Sequence, residues 1–159
     1  MWSSEVTNMI ITGIWETLYM TLVSTLVGYV IGLPMGIILT VSDKDGIKPN
    51  AVLYKILDVI ANIVRSVPFI ILLVLLIPFT RLVVGKSYGS TATIVPLVIA
   101  AAPYIARMVE SSLKEVDAGV IEAARSMGAS NFTIITKVML VEARTSLLVG
   151  ATITLGTIL

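Results

Sequence analysis

The 159-residue sequence contains neither cysteine nor histidine. Disulfides and thiolate chemistry are therefore excluded, and the commonest general base and metal ligand is absent. An intramembrane enzyme would need a nucleophile–base pair or metal ligands, and the lack of both residues argues against one. Charge is scarce as well: charged residues make up 13% of the chain and the net charge is +1, which gives no signal for nucleic-acid binding.

What the sequence has in abundance is apolar residues, at 57% with a mean hydropathy of +1.00. This composition predicts an all-α integral membrane protein, a polytopic helical bundle forming a single domain over residues 1–159. Since a span needs about 20 residues, four apolar runs are candidates. They are residues 17–42, 59–84, 87–107 and 145–159. The last run is short, and we interpret it as the first part of a fourth helix.

Glycines and prolines mark the first two runs. Glycine recurs every four residues in the first run, at Gly28, Gly32 and Gly36. Small residues at this spacing let two helix backbones approach closely, although chance in a glycine-tolerant membrane helix would give the same pattern. Pro34 predicts a kink in the first helix, and Pro68 and Pro78 predict bends in the second.

Charged residues are absent from the middle of the predicted spans. Arg65 lies near one end of the second run, where its side chain could extend to the membrane interface or line an aqueous path. A secondary transporter would show buried carboxylates or a repeated half, and this chain shows neither. A cavity between these helices would be apolar with a few hydroxyl groups.

Residues 117–141 form a separate pattern between the third and fourth runs. Asp117 is a candidate N-cap, Gly128 suits a left-handed turn, and Ser130 is a candidate cap for a second short helix. One predicted helix face is apolar, with Val120, Ile121, Ala124 and Met127. Glu122 and Arg125 lie off that face. The pattern fits an interfacial helix on lipid headgroups or a rigid two-helix knob that docks to a partner.

The same segment resembles the EAA loop of ABC importer permeases. Glu122-Ala123-Ala124 is followed after three residues by Gly128, and Val138 to Val141 stands where that family has Ile-x-Leu-Pro. Val141 replaces the family proline, so the second helix is expected to continue past this position. The resemblance implies that Glu122, Ala123, Ala124, Arg125, Met127 and Gly128 form an ATPase-coupling surface. Glu122 would anchor the partner or the backbone of its own loop.

Further segments resemble the permease subunit of the methionine importer family. They are Arg65 to Phe69, Ala101 to Arg107 with Glu110, and Gly119 to Gly128. The resemblance implies a five-helix, non-catalytic permease, of which this chain holds three helices and part of a fourth. It also implies a homodimer, two cytoplasmic ATPase subunits that bind the ATP, and an extracytoplasmic methionine-binding protein. An importer for another small amino acid or a peptide is the alternative.

The distribution of Lys and Arg predicts the orientation. Nine lie on the side of the 117–141 loop: Lys44, Lys48, Lys55, Arg65, Arg107, Lys114, Arg125, Lys137 and Arg144. Arg81 and Lys86 lie on the other side. The loop is therefore expected in the cytoplasm and the N-terminus outside. Met1 to Glu5 has no positive n-region, so no cleaved signal peptide is expected, and Trp2 suits a membrane interface.

Overall fold

The computed structural model describes residues 3–159 and contains only helices in that range. The order is α1 (Ser4–Ser42), α2 (Ala51–Ser66), α3 (Phe69–Leu75), α4 (Ile77–Val84), α5 (Ser90–Lys114) and α6 (Ala118–Ser126), followed by a helical arm and α9. The arm comprises α7 (Asn131–Thr133), a π-helical stretch (Ile134–Met139) and α8 (Leu140–Glu142), and α9 is Arg144–Ile158. Met1 and Trp2, with the predictions made for them, lie outside the described residues.

Two helices in residues 3–159, α1 and α5, are long and apolar enough to cross a membrane. Two bent pairs would bring the number to four if each pair counts as one span. One pair is α2 with α3, bent by 104°, and the other is the arm with α9, bent by 68°. The all-helical prediction is confirmed, and the predicted first, third and fourth runs lie within or largely within α1, α5 and α9.

The packing of α1 against α5 is the closest in the bundle. Gly32 and Gly36 face Ile105 and Val109 of α5, all of them buried. A Cβ added to Gly36 would lie 2.7 Å from the carbonyl oxygen of Ala106, and one added to Gly32 would lie 2.8 Å from that of Ala102. The repeated glycines therefore do let the two helix backbones meet, because any side chain would strike the backbone of α5.

The predicted second run, 59–84, is not one helix. It is divided between α2, α3 and α4, with breaks at Val67–Pro68 and at Leu76. Val67 is extended (φ −83°, ψ 125°), as the residue before a proline prefers, and this ends α2. Pro78 lies in the first turn of α4, where its missing N–H removes no helical hydrogen bond. The prolines predicted to bend this region in fact interrupt it.

Pro34 behaves differently, because α1 continues through it without a break. Pro96 and Pro103 likewise lie inside α5. In a long helix packed along its length, neighbouring contacts hold the backbone around a proline. The short α3 has few such contacts, and only Leu72 among its residues is buried.

Candidate functional site

The predicted two-helix loop is an α-helical hairpin, residues 117–142, at one end of the bundle. The carboxylate Oδ1 of Asp117 accepts a hydrogen bond of 2.7 Å from the N–H of Gly119, which caps α6. Gly128 follows the helix with φ +82°. The hydroxyl of Ser130 then accepts from the N–H of Thr133 at 3.3 Å and caps the arm. These predicted caps are confirmed.

The turn between the two helices is a Schellman motif. The N–H of Gly128 donates to the carbonyl of Arg125 at 3.0 Å, and the N–H of Ala129 donates to that of Ala124 at 3.1 Å. This pair of bonds satisfies the last carbonyls of α6 and requires a left-handed residue at Gly128. The turn is thus fixed by backbone geometry, and a residue with a Cβ would strain it.

The inner side of the hairpin packs into the core of the protein. Ala124, Ile134 and Met139 are buried, at 6%, 0% and 3% exposure, in one cluster with Leu113 of α5. The π-helical stretch holds Ile134 and Met139 at its two ends and turns both inward. The hairpin is therefore attached to α5 by apolar contacts as well as by the chain itself.

The outer side carries most of the residues predicted to contact a partner. Glu122, Ala123, Arg125 and Gly128 are exposed, and Met127 is 82% exposed. Phe132, on the adjoining arm, is 75% exposed. Within residues 3–159 no hydrogen bond reaches the Glu122 carboxylate from its own loop, so the self-anchoring alternative has no support in this conformation.

Two predicted residues need correction. Ala124 is buried against the core and cannot present its side chain to a partner; its small size instead permits close packing of α6. Met127 was placed on the apolar face with Ile121 and Ala124, yet it points outward. Its N–H still bonds to the carbonyl of Ala123 as in the helix, so the apolar face continues to the end of α6, but the core does not extend far enough to cover it.

Helix α8 continues past Val141 to Glu142, as expected from the missing proline. The bend comes two residues later, at Ala143, which is 4% exposed and has φ −81° and ψ 0°. The arm and α9 meet there at 68°. The hairpin thus ends in a corner that is buried in the core cluster.

A charged network beside the hairpin joins α2 to α5 through Glu110 of α5. This carboxylate is 5% exposed and accepts hydrogen bonds from Arg107 (2.7 Å), Lys114 (2.8 Å) and the Tyr54 hydroxyl of α2 (3.1 Å). Arg107 also pairs with Asp58 of α2. A buried carboxylate with three donors is well satisfied, and removing it would leave two cations without their shared partner.

The network extends to the end of α1. Lys114 pairs with Asp43, the C-cap of α1, at 2.7 Å. This hydrogen bond is the main reason that the pKa of the partly buried Asp43 lies below its ordinary value. The ends of α1, α2 and α5 nearest the hairpin are therefore linked by charge-assisted hydrogen bonds.

Sequence reasoning missed this network. Arg107, Glu110 and Lys114 have helical spacings of three and four and so share one face of α5, as Tyr54 and Asp58 do on α2. The sequence therefore already showed one charged face on α5 and one polar face on α2 that could pair. The sequence does not show that these two faces meet, because this depends on the path of the chain between α2 and α5.

Long apolar helices with an exposed, capped hairpin at a charged end are typical of a polytopic membrane protein. The chain belongs to the family of binding-protein-dependent transport system inner membrane components, whose family model matches residues 32–159. It is 54% identical over 150 residues to the D-methionine transport system permease protein MetI of Salmonella typhimurium. That match covers 94% of this chain and 69% of the Salmonella protein.

Other similar proteins are also components of transport systems. The methionine import system permease protein MetP of Bacillus subtilis is 47% identical, covering 97% of this chain and 71% of MetP. A chain of the MetNI methionine ABC transporter, solved in inward-facing conformations, superposes with a TM-score of 0.96 at 52% identity, covering 99% of this chain and 73% of that one. A crystal structure of an amino acid ABC transporter with histidines, at 23% identity and a TM-score of 0.72, shares the fold.

Proposed function

We propose that this chain is the non-catalytic permease subunit of an ATP-driven methionine importer. The observation that carries the proposal is the exposed, capped hairpin, attached to α5 by buried apolar contacts. Its outer surface is built for contact with another protein, because large apolar side chains such as Met127 and Phe132 are exposed there beside Glu122 and Arg125. We assign methionine, of either hand, because the permeases to which the chain is 54% and 47% identical are named for methionine.

The proposed partners follow from the hairpin. Two copies of the chain form a homodimer, and each hairpin docks into a cytoplasmic ATPase subunit that binds and hydrolyses ATP. An extracytoplasmic binding protein delivers the substrate. In this arrangement the N-terminus lies outside and the hairpin inside, consistent with nine basic residues on the hairpin side and two on the other.

The mechanism is mechanical. When the ATPases close, the two hairpins move together, and each pulls on α5 through Ala124, Ile134 and Met139. Helix α1 follows α5 because their backbones are in contact at Gly32 and Gly36. Helix α2 follows because Glu110 and Arg107 bind it. The three helices then rotate as one body and open the central path outward, and ATP hydrolysis returns them.

The breaks in the fold are where this body can move against its surroundings. The chain turns by 104° between α2 and α3 and by 68° between the arm and α9. Both are breaks of a few residues, the usual form of a hinge. We therefore place the moving joints of the permease at Val67–Pro68 and at Ala143.

Uptake of labelled methionine tests the proposal. Cells of the source organism that lack the chain should lose uptake of methionine, and the wild-type chain supplied from a plasmid should restore it. Unlabelled methionine should compete and other amino acids should not. A tag on the chain should co-purify an ABC ATPase. If uptake does not depend on the chain, the permease proposal falls; if another amino acid or a dipeptide competes better, the methionine assignment falls.

A further inference from the structure

Arg65 is a cation at the end of α2 for which residues 3–159 provide no charged partner. It lies in the last turn of α2, next to the break at Val67–Pro68, and is exposed. Within residues 3–159 it forms neither an ion pair nor a side-chain hydrogen bond, whereas Arg107 binds Asp58, Asn62 and Glu110. An unpaired arginine in an apolar setting points to a functional site.

Arg65 lines an apolar cavity of about 570 Å³ between α2, α3, α5 and α9. Phe69, Leu97 and Ile158 contribute apolar walls, and Tyr104 and Thr157 contribute hydroxyl groups. The volume is within the range of about 300–1,000 Å³ for small-molecule sites. The cavity therefore combines one cation and two hydroxyls with an otherwise apolar lining.

The cavity continues toward the hairpin as a groove along α5. A second cavity of about 320 Å³ shares Arg65 and Tyr104 with the first, and is more polar, with Ser111 and Ser146 in its lining. A third, of about 530 Å³, shares Ser146 and Glu115 with the second and reaches Asp117 at the base of the hairpin. Arg65 and Tyr104 thus lie where the apolar cavity meets a polar groove that leads to the hairpin end.

We propose that Arg65 binds the carboxylate of the transported amino acid in this cavity, with the substrate side chain against the apolar wall. The inference rests on the proposed function and names the residue that holds the substrate. A guanidinium binds a carboxylate through two parallel hydrogen bonds, and an apolar wall suits an unbranched thioether chain. The hydroxyl oxygens of Tyr104 and Thr157 can accept from the substrate ammonium group. Arg65 therefore belongs to the aqueous path, the second of the two alternatives that the sequence left open.

The test compares ligands with and without a carboxylate. The transporter is purified through a tag on this chain, without its binding protein. Bound labelled L-methionine is then displaced either by unlabelled L-methionine or by L-methioninol. In L-methioninol a hydroxymethyl group replaces the carboxylate. Wild type should prefer methionine about tenfold or more, the usual value of a hydrogen bond to a charged group. Arg65→Gln should lose this preference through weaker methionine binding, with methioninol binding unchanged.

Arg81→Gln is the matched control, since Arg81 is an exposed arginine in the last turn of α4 and lines none of the three cavities described above. It should bind like wild type. If Arg65→Gln keeps the preference, or if wild type binds both ligands equally, the inference is overturned while methionine uptake by the wild type still supports the proposed function. If neither wild type nor Arg81→Gln binds or transports methionine, the proposed function fails and the inference with it.

Discussion

The α1–α5 interface and the hairpin both depend on glycine, for opposite reasons. At Gly36 an added Cβ would lie 2.6 Å from the Cβ of Val109, so the site lacks space. At Gly128 an added Cβ would meet no atom within 4 Å among the described residues, but φ is +82°. One glycine is needed for packing and the other for conformation. The first holds two helices together inside the bundle, and the second sets the shape of a surface element.

This difference predicts how each region fails. A substitution in the α1–α5 interface should separate the two helices and lower the free energy of unfolding whether or not the ATPase is bound. Damage to the hairpin should leave the bundle folded and affect the transfer of motion. Four substitutions test the comparison, ordered by the expected loss of stability.

Gly36→Leu should have the largest effect. The new side chain would collide with the carbonyl oxygen of Ala106, a backbone atom that cannot move aside, so α1 and α5 must separate. We expect a loss of about 3 kcal/mol in the free energy of unfolding, measured by thermal unfolding in detergent. Gly13→Leu is the control, since a Cβ there meets nothing within 4 Å in residues 3–159. Equal stability of the two variants would contradict the close-contact argument.

Glu110→Gln should cost about 2 kcal/mol, since it removes a buried carboxylate that accepts from two cations. If the network makes α1, α2 and α5 move as one body, this variant should also transport less methionine per ATP hydrolysed. Glu16→Gln, at an exposed position on α1, is the control. A variant that is less stable but transports with the wild-type ratio would show that the network only stabilises the fold.

Gly128→Val should cost about 1.5 kcal/mol, because a β-branched residue is strained at positive φ. Its main effect should be on coupling: ATP hydrolysis continues while uptake per ATP falls, as measured in proteoliposomes. Gly85→Val is a matched control, since Gly85 has the same φ of +82° and open surroundings but follows α4. Unchanged coupling in Gly128→Val, or an equal defect in Gly85→Val, would refute the special role of the hairpin turn.

Asp117→Ala should have the smallest effect, about 1 kcal/mol, through loss of the N-cap of α6. The start of the hairpin would loosen, and uptake should fall less than in Gly128→Val, whose turn fixes both helices. Asp117→Asn should behave like wild type, because the asparagine side chain caps equally well. Circular dichroism would measure the loss of helix. If Asp117→Asn were as defective as Asp117→Ala, the negative charge of Asp117, and not its capping hydrogen bond, would be the important property.

The residues that sequence reasoning placed well are governed by local rules. Asp117, Gly128 and Ser130 act on backbone groups within a few positions of themselves, so their roles follow from spacing alone. Met127 was expected to be buried because helical periodicity assigns a residue to a face, but periodicity does not say how far along α6 the core covers that face. The split of 59–84 into three helices was missed because the strength of a proline break depends on the packing around it.

The sequence by itself determined a chain of apolar helices and a capped pair of short helices between two long runs. Composition and local periodicity suffice for these, since they depend on hydrophobic burial and on hydrogen bonds over short separations. The tertiary structure decided which helices Glu110 joins, where the chain bends, and that Arg65 and Tyr104 share a cavity. These depend on contacts between residues about forty or more positions apart in the chain, such as Tyr54 with Glu110, at a separation of 56.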